Sequence, residues 1–355
     1  MVALNVKYTV SVLACGLALY LLGPETLPFS VLGMILGLAI VIMIGEPMVE
    51  GLQEFSEYTG LSSHVTGILS SLTSNLPEMI MTMFMIFSPQ LRDVAILSVL
   101  LASTFNGLLL GMLVVMLTLK GGSIELPKKA LESDVEVIRL AIAFSVIVFG
   151  TGIILTLNGD GNGPPLLPWE LPVFMLLGYI GYLFFVAKGG MGGHEGHQPH
   201  LHEGERSKAF ITPIALGLIG TVIAAELISS SSEFFVHVLH LNVVFAATLI
   251  GFAGSVPEHG MALIGARQGH VELGVSNLLS GVVQSILLIF PIVALLVPVY
   301  LDGYVLYQFL AIAVTLWILL KSIVDDGKLT LDEGVSIIVI YLLGILLFDQ
   351  LSLIF

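Results

Sequence analysis

Apolar residues run along this chain in blocks of about twenty, the length a helix needs to cross hydrocarbon, with short polar breaks between the blocks. Irregular backbone cannot face lipid, so each such block is expected to be helical. Eleven segments qualify: 6–23, 27–54, 63–88, 92–119, 134–157, 168–188, 210–235, 242–267, 271–299, 304–321 and 334–353. The first has the length and the leading Lys7 of a signal peptide, but Gly23-Pro24-Glu25 runs straight into the next apolar block with no small-residue cleavage motif. It is therefore read as a helix.

Lys and Arg positions set the orientation. With eleven crossings, Lys7, Lys120, Lys128, Lys129, Arg139, Lys188, Arg206, Lys208, Arg267, Lys321 and Lys328 fall on one side and only Arg92 on the other. The positive side is cytoplasmic, which puts the N-terminus inside and the C-terminus outside a cell membrane.

The chain also repeats itself. Shifted by 180 residues, Leu36-Gly37-Leu38 meets Leu216-Gly217-Leu218, Glu46 meets Glu226, Phe55 meets Phe235 and Leu69 meets Leu249. Pro77-Glu78 then meets Pro257-Glu258, and Met81 meets Met261. Leucine matches mean little in such a chain; two buried glutamates and a Pro-Glu pair in one ungapped register mean much. Five helices per repeat is an odd number, so the second copy enters from the opposite side. The expected fold is all-α and integral to the membrane, with eleven transmembrane helices: an extra N-terminal helix (1–26), a five-helix repeat (27–188), a polar cytoplasmic linker (189–209) and an inverted five-helix repeat (210–355). Inverted repeats are the architecture of secondary transporters, whose sites lie at the repeat interface near mid-membrane.

Composition agrees. Of 355 residues 56% are hydrophobic and 11% charged, with a mean hydropathy of +1.03, against roughly 25% charged in a soluble domain. The net charge of −14 offers nothing to nucleic acid. One cysteine, Cys15, cannot form an internal disulfide.

An ionisable group at the bilayer centre costs roughly 2.5–3.5 kcal/mol on insertion scales and is a functional candidate by default. Glu78 follows Ser70-Ser71-Leu72-Thr73-Ser74-Asn75-Leu76-Pro77, and Glu258 follows Gly251-Phe252-Ala253-Gly254-Ser255-Val256-Pro257. Proline removes a backbone donor, and the small residues upstream ease a helix break in both repeats. Freed carbonyls and two carboxylates make an oxygen-rich site suited to Ca²⁺. Burial and mutual repulsion also raise carboxylate pKa values, so protons compete for the same pair, and that competition would couple the two fluxes. The plainer reading, a structural hydrogen-bonding group, is the lesser one even for a single glutamate, and the symmetric pair favours an ion site further.

Other polar residues lie within the apolar blocks. Ser103, Thr104 and Asn106 interrupt the fourth, and Asn277, Ser280 and Gln284 the ninth. Either they supply oxygens to the ion or they bond helix to helix. Ser74, Asn75 and Ser255 flank the glutamates. Glu46 and Glu226 suit gating or proton relay, or else a water-filled vestibule; Glu50 and Glu233 are less symmetric and read as solvated. His259, beside Glu258, either tunes it or is packed and hydrogen-bonded. In the linker, His194, His197, His200 and His202 with Glu195, Glu203 and Glu205 form a tract of metal-binding composition; a flexible, solvated linker is the plainer reading.

At these residues the chain resembles the calcium/cation antiporter superfamily, over most of its length from about residue 27. Asn75 and Glu78 fit the Gly-Asn-Ala-x-Glu signature of its cation/proton exchangers, and Gly254, Glu258 and His259 fit the second signature, Gly-Asn-Ala-x-Glu-His. Ser280 to Pro291 is similar to that branch's Gly-Ser-Ala-Ile-Gln run, with Gln284 as its telling residue. Leu76-Pro77-Glu78 and Ser255-Val256-Pro257-Glu258 lean instead toward the Gly-Thr-Ser-Leu-Pro-Glu of sodium/calcium exchangers. Ser74 replaces a signature glycine and Ser255 an asparagine, while Ser98-Val99 stands where the sodium branch has Gly-Asn. The resemblance implies a Ca²⁺/H⁺ antiporter, with Glu78 and Glu258 as shared carboxylates, Ca²⁺ as cargo and no organic cofactor. Na⁺/Ca²⁺ exchange on the same fold is the alternative, and a cation channel the alternative of another class. Without a Gly-x-Ser-x-Gly or His-Glu-x-x-His motif, an intramembrane enzyme is not expected.

Overall fold

The computed structural model describes residues 6–23, 26–59, 72–125, 128–159, 163–192, 210–267, 271–347 and 351. The helices are α1 (Val6–Leu22), α2 (Leu27–Thr59), α3 (Leu76–Phe87), α4 (Arg92–Gly121), α5 (Lys128–Asn158), α6 (Glu170–Gly192), α7 (Ile211–His237), α8 (Val243–Arg267), α9 (Val271–Gln284), α10 (Phe290–Leu296), α11 (Gly303–Val324) and α12 (Leu331–Leu346). A π turn, Ser285–Ile289, joins α9 to α10, and two short strands, β1 (Ser123–Glu125) and β2 (Lys328–Thr330), pair with each other. Each predicted apolar block coincides with a helix, the third only over its described part. Six helical stretches among the described residues are long and apolar enough to cross a membrane by length and composition. The protein is thus an all-α membrane protein. One boundary moves: α6 runs on to Gly192, into the stretch expected to be linker. The histidines of that stretch lie outside the described residues.

The chain forms two compact units, and neither coincides with a repeat. Residues 1–91 and 181–241 make one; residues 92–180 and 242–355 make the other. In the first unit α2 and α7 lie against each other along their length with glycines on both sides. A Cβ added at Gly37 would lie 2.7 Å from Ile228 Cγ1, and one at Gly217 would lie 2.7 Å from Met48 Cγ. Likewise Gly33 meets Ser231 (2.7 Å) and Gly51 meets Pro213 (2.9 Å). Numbers rise on one helix as they fall on the other, so the two run antiparallel. The contacts also exchange under the 180-residue shift: 37·228 becomes 217·48, and 33·231 becomes 213·51. Between helices in lipid there is no hydrophobic driving force, and small residues that admit the partner's backbone supply the packing instead. The N-terminal α1 runs along α7, with Leu13 at Gly220 and Gly16 against Ile223 and Leu227.

In the second unit α4 packs on α8 and α12. Gly251 sits on the Ser98 carbonyl, and Phe105 meets Phe252 edge to face at 5.5 Å. Gly107 admits the Tyr341 ring, and Gly111 and Gly334 approach each other's carbonyls at 3.0 and 3.1 Å, measured from an added Cβ. Two pairs of loops clamp the ends of α11. At its start, Leu167 N donates to Val299 O (2.9 Å) and Leu301 N to Pro165 O (2.8 Å). Beyond its end, β1 pairs antiparallel with β2, Ser123 opposite Thr330 and Glu125 opposite Lys328. At about 1.5 Å per residue, α11 spans roughly 33 Å between the clamps, close to the hydrocarbon thickness.

The strand pair begins at two glycines with left-handed backbone, Gly122 (φ 74°) and Gly327 (φ 70°). Each closes the preceding helix: Gly122 N donates to Thr118 O and Gly327 N to Ser322 O, both at 2.8 Å, as helix C-termini commonly do. Glu333 then ties three elements. Its carboxylate accepts from Thr330 N (2.7 Å), Thr330 Oγ1 (2.9 Å) and Ser322 Oγ (2.6 Å).

Two expectations follow. Gly107→Ala drives a methyl into a rigid aromatic ring, whereas Gly217→Ala meets the flexible Met48; overpacking costs about 1–3 kcal/mol. The melting temperature in detergent is therefore expected to fall clearly more for Gly107→Ala. In a Cys15→Ser background, Ser123→Cys with Thr330→Cys is expected to cross-link on mild oxidation, read by intact mass and peptide mapping. Absence of the cross-link would contradict the β1–β2 register.

Candidate functional site

The first repeat breaks where its sequence suggests. Residues 72–74 are helical, Asn75 is a turn, and α3 starts afresh at Leu76 with Pro77 in its first turn. Proline is well tolerated there because its missing N–H would find no partner in the first turn anyway. The break therefore falls just before Pro77 rather than as a kink across it. Glu78 is the third residue of α3, 2% exposed, at the end of the helix where the macrodipole favours a negative charge. Thr73, Ser74 and Asn75 around the break are buried as well.

The second repeat departs from expectation. α8 continues unbroken from Val243 to Arg267, through Pro257 and Glu258. The irregular backbone appears in the following helix instead: over Ser285–Ile289 the Phe290 N–H reaches back five residues to Ser285 O. Pro291, lacking an N–H, removes the next α-helical bond and accounts for the loosened turn. Such π turns concentrate at functional sites, and Gln284 stands immediately before this one, 4% exposed, its Nε2 donating to Ser280 Oγ at 3.1 Å.

The side chains of Glu258 and Glu46 lie outside the described residues. Ser255, on α8 one turn before Glu258, is buried and bonds back to its own helix at Gly251 O (3.1 Å) and Phe252 O (3.0 Å). His259 is half-buried, its ring 5.9 Å from that of Phe252, and its Nε2 has no hydrogen-bond partner among the described residues. Asn277 is half-buried on α9.

The α4 trio divides. Ser103 Oγ and both polar atoms of Asn106 are buried without hydrogen-bond partners among the described residues. Thr104 is equally buried, but its Oγ1 donates to Gln308 Oε1 of α11 at 2.7 Å and lies 3.0 Å from Leu100 O. At 100° per residue Thr104 and Asn106 sit on nearly opposite faces of α4, so they do not line one cavity. Gln308 was passed over in the sequence because it is a single neutral amide in an apolar block.

Glu226 is half-buried, and the Tyr20 hydroxyl of α1 donates a hydrogen bond to it. The packing register of α1 on α7 explains the pairing, since Tyr20 lies one turn beyond Gly16 and Glu226 beside Leu227. Tyr20 too went unnoticed in the sequence. Glu50 is half-buried and Glu233 exposed. Among the described residues no three His, Cys, Asp or Glu side chains converge to hold a metal ion.

Comparisons with known proteins bear on this arrangement. No curated protein matches the sequence. Among solved structures, the fold is similar to the crystal structure of the H⁺/Ca²⁺ exchanger CAX, with a TM-score of 0.68 at 15% identity, covering 96% of this chain and 89% of that one. It is also similar to the sodium-calcium exchanger NCX_Mj, with a TM-score of 0.63 at 18% identity, covering 90% and 99%. The profile of the family described as sodium/calcium exchanger protein matches residues 29–188 and again 209–348, one match to each half. With some five-sixths of its length matched in this way, the chain belongs to the sodium/calcium exchanger protein family.

Proposed function

We propose that this protein is a secondary active Ca²⁺/H⁺ antiporter in which Glu78 and Glu258 hold Ca²⁺ and protons in turn. The observation that carries the proposal is Glu78: a carboxylate 2% exposed, in the first turn of a helix begun by a break inside an apolar block. Its sequence mate, Pro257-Glu258, lies 180 residues on. The symmetric, antiparallel contacts of α2 with α7 and the double family match support two inverted five-helix repeats, with α1 as an extra and eleven crossings in all. The N-terminus is then cytoplasmic and the C-terminus outside.

In this scheme Ca²⁺ takes oxygens from the two carboxylates, from Ser74, Asn75 and Asn106, and from the backbone at the Asn75 break. Hard divalent cations favour such sets. Gln284 is neutral, and with two carboxylates it gives a site whose charge one Ca²⁺ or two protons would balance. Alternation of access moves helices past the fixed glutamates. Proton coupling is favoured over sodium coupling by Gln284 and by Ser98-Val99; the Leu-Pro-Glu and Val-Pro-Glu signatures are what favour the sodium branch.

The test is ⁴⁵Ca²⁺ uptake into proteoliposomes under an imposed pH gradient or an imposed Na⁺ gradient. Uptake driven by pH and reduced to the protein-free level by Glu78→Gln is the expected result. Uptake driven only by Na⁺ would place the protein in the sodium branch. Conductive flux without countertransport would make it a channel, and an unchanged Glu78→Gln variant would make the glutamate structural.

A second prediction concerns Glu226 as a gating or relay group. A hydrogen bond to a charged group is worth about 1.5–3 kcal/mol, so Tyr20→Phe is expected to slow maximal uptake by about tenfold. In a Glu226→Gln background the same substitution is expected to have little further effect. Additive losses would show that Tyr20 acts elsewhere.

A further inference from the structure

The hydrogen bond between Thr104 and Gln308 joins two helices long and apolar enough to cross a membrane, on the side of α4 away from Asn106. Gln308 is 1% exposed and Thr104 0%, and the bond between them is short, at 2.7 Å. The Tyr304 hydroxyl, one turn earlier on α11, lies beside the Gln308 amide.

Around α4, Ser103 and Asn106 lie about 60° apart, while Thr104 lies about 160° from Asn106. Asn106 is 0% exposed, and neither its Oδ1 nor its Nδ2 has a partner among the described residues. An unpartnered amide buried in this way is costly unless something binds it. What faces such a ligand depends on the rotation of α4: a turn of one residue, about 100°, would carry Asn106 away. Contacts with lipid-like neighbours do not set that rotation, because no hydrophobic term distinguishes one apolar face from another. The glycine contacts at Gly107 and Gly111, which admit the Tyr341 ring and the Gly334 backbone of α12, constrain that rotation by shape alone. The Thr104–Gln308 bond is directional.

We propose that Gln308 is a positioning residue for the cation site: by holding Thr104 it fixes the rotation of α4 that turns Asn106 and Ser103 toward the ion. This rests on the cation-site reading above. Gln308 touches no ion itself and acts through Thr104.

The experiment pairs transport kinetics with a thiol probe. Gln308→Leu and Thr104→Val are each expected to raise the KM for Ca²⁺ about tenfold, the range of losses around metal sites when a supporting bond is removed. The maximal rate should stay within about twofold, and the double variant should be no worse than either single one. Thr104→Ser, which keeps the hydroxyl, should restore wild-type KM. In a Cys15→Ser background, Asn106→Cys should react with a small water-soluble thiol reagent and be protected by Ca²⁺; adding Gln308→Leu should slow the reaction severalfold. Additive losses in the double variant, or a fall in melting temperature with KM unchanged, would make the bond mere interhelical glue and overturn the proposal. So would an Asn106→Cys thiol that neither reacts nor is protected. A wild-type protein with no Ca²⁺ uptake would instead overturn the function reading; the change in thiol reactivity caused by Gln308→Leu would still decide whether the bond sets the rotation of α4.

Discussion

A carboxylate held away from water in a low-dielectric slab needs polar surroundings, and much of this molecule follows from that requirement. Charge there is expensive, and so is any backbone amide or carbonyl left unbonded. Starting a helix at a glutamate eases the first cost, because the first-turn N–H groups of a helix favour a negative charge. Asn75, Pro77 and Glu78 form such a unit: the turn, the residue that starts the next helix and the charge within that helix's first turn. The buried Thr73 and Ser74 add further polar side chains to an otherwise apolar stretch.

A polar stretch of this kind is useful only if the helices around it are held without help from water. Close packing at glycine serves this purpose in both compact units. Gly33, Gly37, Gly51 and Gly217 bring α2 and α7 into backbone range, while Gly107, Gly111 and Gly334 do so for α4 and α12. Direction comes from a few buried polar bonds, such as those of Gln308 and Glu333. Outside the hydrocarbon, the loop clamps at the two ends of α11 do the same with backbone hydrogen bonds.

Helix positions were legible in the sequence because a membrane demands long apolar blocks, and the Pro-Glu repeat stood out because charge is scarce in them. The Asn75 break was legible for the same reason. The unbroken α8 was not: whether a mid-helix proline parts the helix depends on how the neighbours re-bond the freed carbonyls, and that is a tertiary matter. The π turn after Gln284 had a signal in Pro291, but the same proline would have suited a simple kink. Tyr20 and Gln308 show a different limit. Each matters through one partner distant in sequence, Glu226 and Thr104 respectively, and no spacing rule links such pairs. The composition of the two units was hidden too, since α7 joins α2 while the rest of its own repeat lies in the other unit.

The first half is irregular before its glutamate, at Asn75, whereas the second half keeps that helix whole and loosens the next one at Ser285–Ile289. Perfectly matched halves would interconvert by swapping roles, and the states open to either side of the membrane would have equal free energy. Here the swap does not map the molecule onto itself. On the proposed antiport scheme, the states open to the two sides of the membrane would therefore differ in free energy before any ion gradient acts.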